Sequence, residues 1–187
     1  MTPRGSILST ADTRRPAVAA AALREFARGG YHGTTVADVA REAKISPAYV
    51  FKLFPRKEAL FAAAVESCFD AVVQALDEGT TDIDSTDPLV ILDRMGAAYA
   101  ALISDRALLM LQVHAQSVAG IPEIGEALRA GLARVTEFAK ERSVGSDEDV
   151  QRFMAYGQLC HLIVTAGIAD SSASWAQLLS HGIRHPD

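Results

Sequence analysis

Two helix starts stand eleven residues apart near the N-terminus, and they constrain the fold more than any other feature of the chain. Thr35-Val36-Ala37-Asp38 is a capping-box-like start in which Asp38 stands in for the usual glutamate. Ser46-Pro47 is a second start. The serine caps the first turn, and the proline takes the first helical position, where its missing N–H goes unneeded. The first of these helices runs to about Ala43. Lys44-Ile45 then makes a tight turn, and the second helix ends near Phe54-Pro55. Two short helices joined by about four residues have helix-turn-helix spacing. Ala40 lies where a small residue lets the helices approach. Val50 is expected to face inward with Val39, Ile45 and Phe54, leaving Ser46, Pro47, Ala48, Tyr49 and Lys52 outward. A half-turn of small residues with one aromatic suits entry into a DNA major groove.

The remaining pattern is helical as well. Alanine and leucine are abundant, aromatics are 6% of the 187 residues, and no β-branched alternating runs bounded by turns stand out. Residues 1–12 are polar and patternless and read as a disordered arm. A first helix is expected from a Thr13 cap, with Pro16 in its first turn and Val18, Ala22, Leu23 and Phe26 inward; Gly29-Gly30 stops it. A long helix follows the helix-turn-helix, about 56–78, then a polar loop over 79–87. Further helices are expected at 88–103, 105–118, 122–143, 147–169 and 172–183. The expectation is an all-α chain of about nine helices: an arm over 1–12, a helix-turn-helix domain over 13–55 and a larger helical domain over 56–187.

Charge is split along the chain. Residues 1–60 hold ten Lys/Arg against five acids, while the rest holds eight against eighteen, so the overall −5 conceals a basic end on an acidic body. That division suits a DNA-facing end and a body that DNA repels. Cys68 and Cys160 sit in apolar helical patterns and read as buried small hydrophobes. No signal-peptide pattern is present and no uninterrupted apolar run reaches about 18 residues, so the expected compartment is the cytoplasm. His114 and His161 begin no metal-ligand spacing, and neither a nucleophile elbow nor a phosphate-cradling glycine loop is found. No catalytic residue, metal or cofactor is expected. A helical interaction module without a sensor role and a helical enzyme are the alternatives.

The stretch Leu23-x-x-Phe26-x-x-x-Gly30-Tyr31-x-Gly33-Thr34-Thr35-Val36-x-Asp38-Val39-Ala40-x-x-Ala43-x-Ile45-Ser46 resembles the DNA-binding domain of the TetR family of bacterial transcriptional regulators. The resemblance continues through Tyr49-Val50-Phe51-Lys52-Leu53-Phe54-Pro55-x-Lys57-Glu58-x-Leu60. It implies a phosphate contact at Thr35, a recognition segment at Ser46, Pro47, Ala48 and Tyr49, and phosphate-binding lysines at Lys52 and Lys57. Two residues depart from the pattern. Phe51 stands where the family usually has a tyrosine whose hydroxyl reaches a phosphate, and is expected to pack instead. Lys44 replaces the usual turn glycine; a positive φ there costs on the order of 1 kcal/mol, and its charge is expected to point toward DNA.

The resemblance also implies a homodimer on double-stranded DNA and a small-molecule effector. On the last two helices the apolar line Val150, Phe153, Gly157, His161, Val164, Ile168 and then Trp175, Leu178, Leu179, Ile183 is the expected dimer interface, with an intramolecular core as the alternative. The pocket is expected to be lined by Phe69, Met95, Tyr99, Met110, Val113, His114, Ser117 and Tyr156, each of which could instead be plain core. Apolar walls with few polar groups suit a lipophilic effector.

Overall fold

A computed structural model describes residues 10–182. Among the described residues there are helices and no strands: α1 (Thr10–Gly33), α2 (Val36–Glu42), α3 (Pro47–Leu53), α4 (Lys57–Thr80), α5 (Pro88–Leu102), α6 (Arg106–Ser117), α7 (Pro122–Ser143), α8 (Asp147–Thr165) and α9 (Ser174–Ser180). The expected helices are all present, and their boundaries follow the caps. Thr35, Ser46, Asp87, Asp105 and Ser146 each accept a hydrogen bond from a first-turn amide.

Several boundaries differ from expectation. α1 already includes residues 10–12, so Thr13 lies inside it and Pro16 sits well beyond its first turn; the rest of the expected arm, 1–9, lies outside the described residues. α8 stops at Thr165 because Gly167 takes a left-handed turn (φ 63°) into a short 3-10 segment, Ile168–Asp170. α9 is shorter than expected, and Ile183 lies outside the described residues.

The helix-turn-helix is built on α1. Val18, Ala22 and Phe26 of α1, Val39 and Ala40 of α2, and Val50 and Leu53 of α3 are all buried in one cluster. Phe61 from the first turns of α4 closes it, its ring edge-on to Phe26 at 4.7 Å. That cluster runs without a break into the body, where α4 is the axis and packs against α1, α5, α6 and α7. Gly131 lets α7 lie close on α4, since a Cβ there would fall 2.1 Å from the Phe69 ring.

α4 has the length and the apolar composition to cross a membrane, with a mean hydropathy of 1.5 over eighteen residues, which an inspection for uninterrupted apolar runs overlooks. Half of that window is buried, and its apolar face (Leu60, Phe61, Val65, Phe69, Val72, Leu76) forms the centre of the bundle.

Candidate nucleic-acid interface and internal cavity

The geometry of α2 and α3 follows from local hydrogen bonds. The Thr35 hydroxyl accepts from the Asp38 amide and donates to the Asp38 carboxylate at 2.6 Å, while Asp38 accepts from the Thr35 amide at 2.9 Å. With Arg41 2.7 Å away, these bonds hold the exposed Asp38 carboxyl down at about 2. The Ser46 hydroxyl accepts from the Tyr49 amide at 3.2 Å. Between the helices Lys44 adopts φ 55°, the left-handed conformation that its place in the turn demands, and the Ile45 amide closes the turn on the Ala40 carbonyl.

Val50, Val39 and Phe54 are buried and Ile45 packs on them, as the spacing predicts. Thr35, Lys44, Ser46, Pro47, Ala48 and Lys52 are exposed, and Tyr49 is half-buried against the core. Phe51 is the correction. It does not pack: its ring is 48% exposed, because α3 uses Val50, Leu53 and Phe54 inward and turns position 51 away from them.

Cations near this surface differ in their freedom. Arg24, Arg28 and Arg41 pair with Glu42, Glu25 and Asp38. Arg56 pairs with Glu123 at the start of α7, at 3.0 Å. Lys57 lies 4.6 Å above the Tyr31 ring, and the Tyr31 hydroxyl donates to Glu58. Burial and that carboxylate push the Tyr31 phenol up to about 12. Lys44 and Lys52 make no ion pair among the described residues.

The body holds a cavity of about 230 Å³ among α4, α5, α6, α7 and α8, open to solvent past the exposed Leu89 and Tyr156. Phe69, Val72, Leu76, Leu92, Leu132, Val135, Phe153 and Met154 form its walls. Its deeper polar groups are Tyr99 and Gln112, with Asp93, Asp149, Arg152, Tyr156 and Gln158 lining it nearer the surface. The Tyr99 hydroxyl is bonded to Nε2 of the buried His161 and lies 3.4 Å from Gln112 Oε1. The Gln112 amide nitrogen donates to the Leu108 carbonyl at 3.2 Å. Burial lowers the His161 imidazole to about 4, and burial, against the opposing hydrogen bond with Gln112, raises the Tyr99 phenol.

Residues 18–64 match the sequence profile of the bacterial regulatory proteins of the tetR family. That match runs from Val18 of α1 through the first turns of α4 and leaves the rest of the body outside it. The HTH-type transcriptional regulator HbdR of Aromatoleum sp. (strain CIB) is 27% identical over 92 residues, a stretch that is 49% of this chain and 39% of HbdR. The chain thus matches about two fifths of that curated relative's length. Solved TetR-family structures align over nearly the whole chain. A regulator of Mesorhizobium loti has 20% identity and a TM-score of 0.68, covering 92% of this chain and 93% of its own. One of Agrobacterium tumefaciens has 17% identity and a TM-score of 0.68, covering 91% and 95%. A regulator of Saccharomonospora viridis, solved in complex with choline, has 18% identity and a TM-score of 0.69, covering 91% and 97%. At these identities the likeness is one of fold.

The structure distributes the expected pocket and interface residues unevenly. Phe69, Tyr99 and Tyr156 line the cavity. Met95 is fully buried in the main core instead. Met110 and Val113 pack on a satellite cluster of Ile103, Leu109 and Cys160, and Ser117 is exposed and bonds back to the His114 carbonyl. His114 faces α1 rather than the cavity, its ring against Gly30. Gln112 was overlooked. Its signal was present, as the one amide in the apolar run 107–115.

On α8 and the 3-10 segment after it the expected interface line faces inward. Val150, His161 and Ile168 are buried within the protomer, Phe153 and Gly157 line the cavity, and Val164 packs on the satellite cluster. The exposed apolar face is a different one: Leu162 on α8, with Ala155 and Ala166 and the half-buried Leu159 in helical register. Trp175 and Leu178 of α9, both in the expected set, are 56% and 76% exposed, while Leu179 is half-buried.

Proposed function

We propose that this chain is a transcriptional repressor that binds a pseudopalindromic operator as a homodimer and is released by a small, largely apolar effector held in the body's cavity. The observation that carries the reading is the exposed helix α3. Its start is capped, and it stands beside two lysines that make no ion pair among the described residues. Lys44 and Lys52 supply phosphate attraction; Pro47, Ala48, Tyr49 and the exposed Phe51 supply the surface that enters the groove. Thr35, at the N-terminus of α2, and Lys57, steadied on Tyr31, flank them toward the backbone.

One recognition helix reads only a few base pairs, so a twofold pair is needed. Leu162 of α8 and Trp175 and Leu178 of α9 are large apolar side chains left exposed in the protomer, and a second copy would cover them. The regulator from Saccharomonospora viridis holds choline in the same fold, which supports a small organic molecule as the signal.

The two sites share helices. α4 starts next to α3 and carries Phe69, Val72 and Leu76 to the cavity. A ligand that favours one setting of α4 therefore biases the spacing of the paired recognition helices, and DNA weakens ligand binding by the same factor. Selection of bound duplexes from random DNA tests the reading. It should enrich a pseudopalindrome with half-sites about one helical turn (~34–36 Å) apart. Enrichment of no sequence, or of a lone half-site, contradicts it.

A further inference from the structure

The polar end of the cavity has a defined hydrogen-bond direction. Gln112 donates its amide nitrogen to Leu108 O, so its Oε1 is turned to the Tyr99 hydroxyl as an acceptor. Tyr99 therefore donates to Gln112. The other partner of the Tyr99 hydroxyl is His161 Nε2, while His161 Nδ1 is buried with no partner. A buried orphan N–H is rarer and costlier than a buried orphan lone pair. The proton consequently belongs on Nε2, which donates to Tyr99. The Tyr99 oxygen is left with one acceptor position, and its only hydrogen is committed.

Size and charge narrow the occupant. A cavity of about 150 Å³ is sufficient for benzene, so 230 Å³ between apolar walls suits a single ring with one substituent. Its one lining cation, Arg152, already faces two carboxylates, Glu148 at 3.0 Å and Asp149 at 4.0 Å, so the local charge does not favour a carboxylate or phosphate there.

We infer that the cavity takes a neutral, monocyclic molecule bearing a hydroxyl group, which donates its hydrogen bond to the Tyr99 oxygen. This rests on the reading of the cavity as the effector site and adds what that effector is made of.

Calorimetric titration of the full chain with phenol, toluene, anisole, benzoate and choline tests it. Phenol should bind about tenfold or more tightly than toluene, which has its shape without the donor, or anisole, which only accepts. Benzoate and choline should bind more weakly than phenol. Tyr99→Phe should erase the preference of phenol over toluene. Gln112→Met, which frees the Tyr99 hydrogen, should bring anisole up toward phenol without removing the tyrosine. Leu132→Trp, filling the cavity from its apolar side, should abolish binding of every probe.

Equal binding of phenol and toluene to the unaltered chain overturns the inference and leaves the effector cavity standing. Tighter binding of choline or benzoate overturns it in favour of a charged ligand. If no probe binds at all, the inference and the effector reading of the cavity fall together.

Discussion

His114 sits against Gly30, the imidazole Nδ1 lying 3.2 Å from where a Cβ on that glycine would be. Gly30 is the kink in α1, with φ 67° and ψ −179°, a backbone region that essentially only glycine occupies. The contact fastens α6, which also carries Gln112 of the cavity, to the base of the helix-turn-helix. Gly30→Ala strains the backbone and pushes into His114, so it should cost about 1–3 kcal/mol in denaturant unfolding. A loss near zero would mean that α1 can straighten here.

Lys44 combines strain with proposed function. Its φ of 55° costs on the order of 1–2 kcal/mol for a residue with a side chain. Lys44→Gly should therefore raise stability by about 0.5–1 kcal/mol, glycine's own entropy cost taking back part of the gain. The same change should weaken DNA binding and reduce the salt slope by about one. A more stable protein with an unaltered salt slope would remove Lys44 from the interface.

Phe51 separates stability from recognition in the opposite way. Because its ring is 48% exposed, Phe51→Ala should change stability by less than about 0.5 kcal/mol. If the ring meets sugar or a thymine methyl in the groove, affinity for the selected duplex should fall about tenfold, with little change on random DNA. Equal losses on both duplexes would assign Phe51 to the phosphate backbone.

His161 predicts a pH dependence. Burial lowers its folded value to about 4 against a usual 6.5, so between those values the unfolded chain binds a proton that the folded chain refuses. Stability is intact above about pH 6.5 and declines as pH falls toward 4, by on the order of 3 kcal/mol at most. His161→Gln should flatten that part of the stability profile. An undiminished slope in the variant would locate the titrating group elsewhere.

The helix-turn-helix was legible because its determinants are local. Thr35, Asp38, Ser46 and Pro47 fix two helix starts whatever lies around them, and the positions of Val39, Ala40 and Val50 follow from the spacing. α8 was harder. It is apolar on two faces, and periodicity finds the stronger one, from Val150 to Ile168, without saying whether the protomer's own core or a neighbour covers it. The core takes it here, and the weaker stripe through Leu159 and Leu162 is left outside. The cavity was legible only in part for a related reason. Spacing puts Met95, Met110 and His114 on apolar faces, but which face borders empty space depends on how α5 and α6 lie against α1, α4 and α8.

The account stands on α3 entering DNA as one of a symmetric pair. Cleavage from an iron chelate tethered at Ala48→Cys addresses this directly, since Ala48 is exposed while Cys68 and Cys160 are buried. On the selected duplex, two clusters of strand breaks should appear about one helical turn apart, symmetric about the pseudodyad. A single cluster, or breaks spread evenly along the duplex, would contradict it.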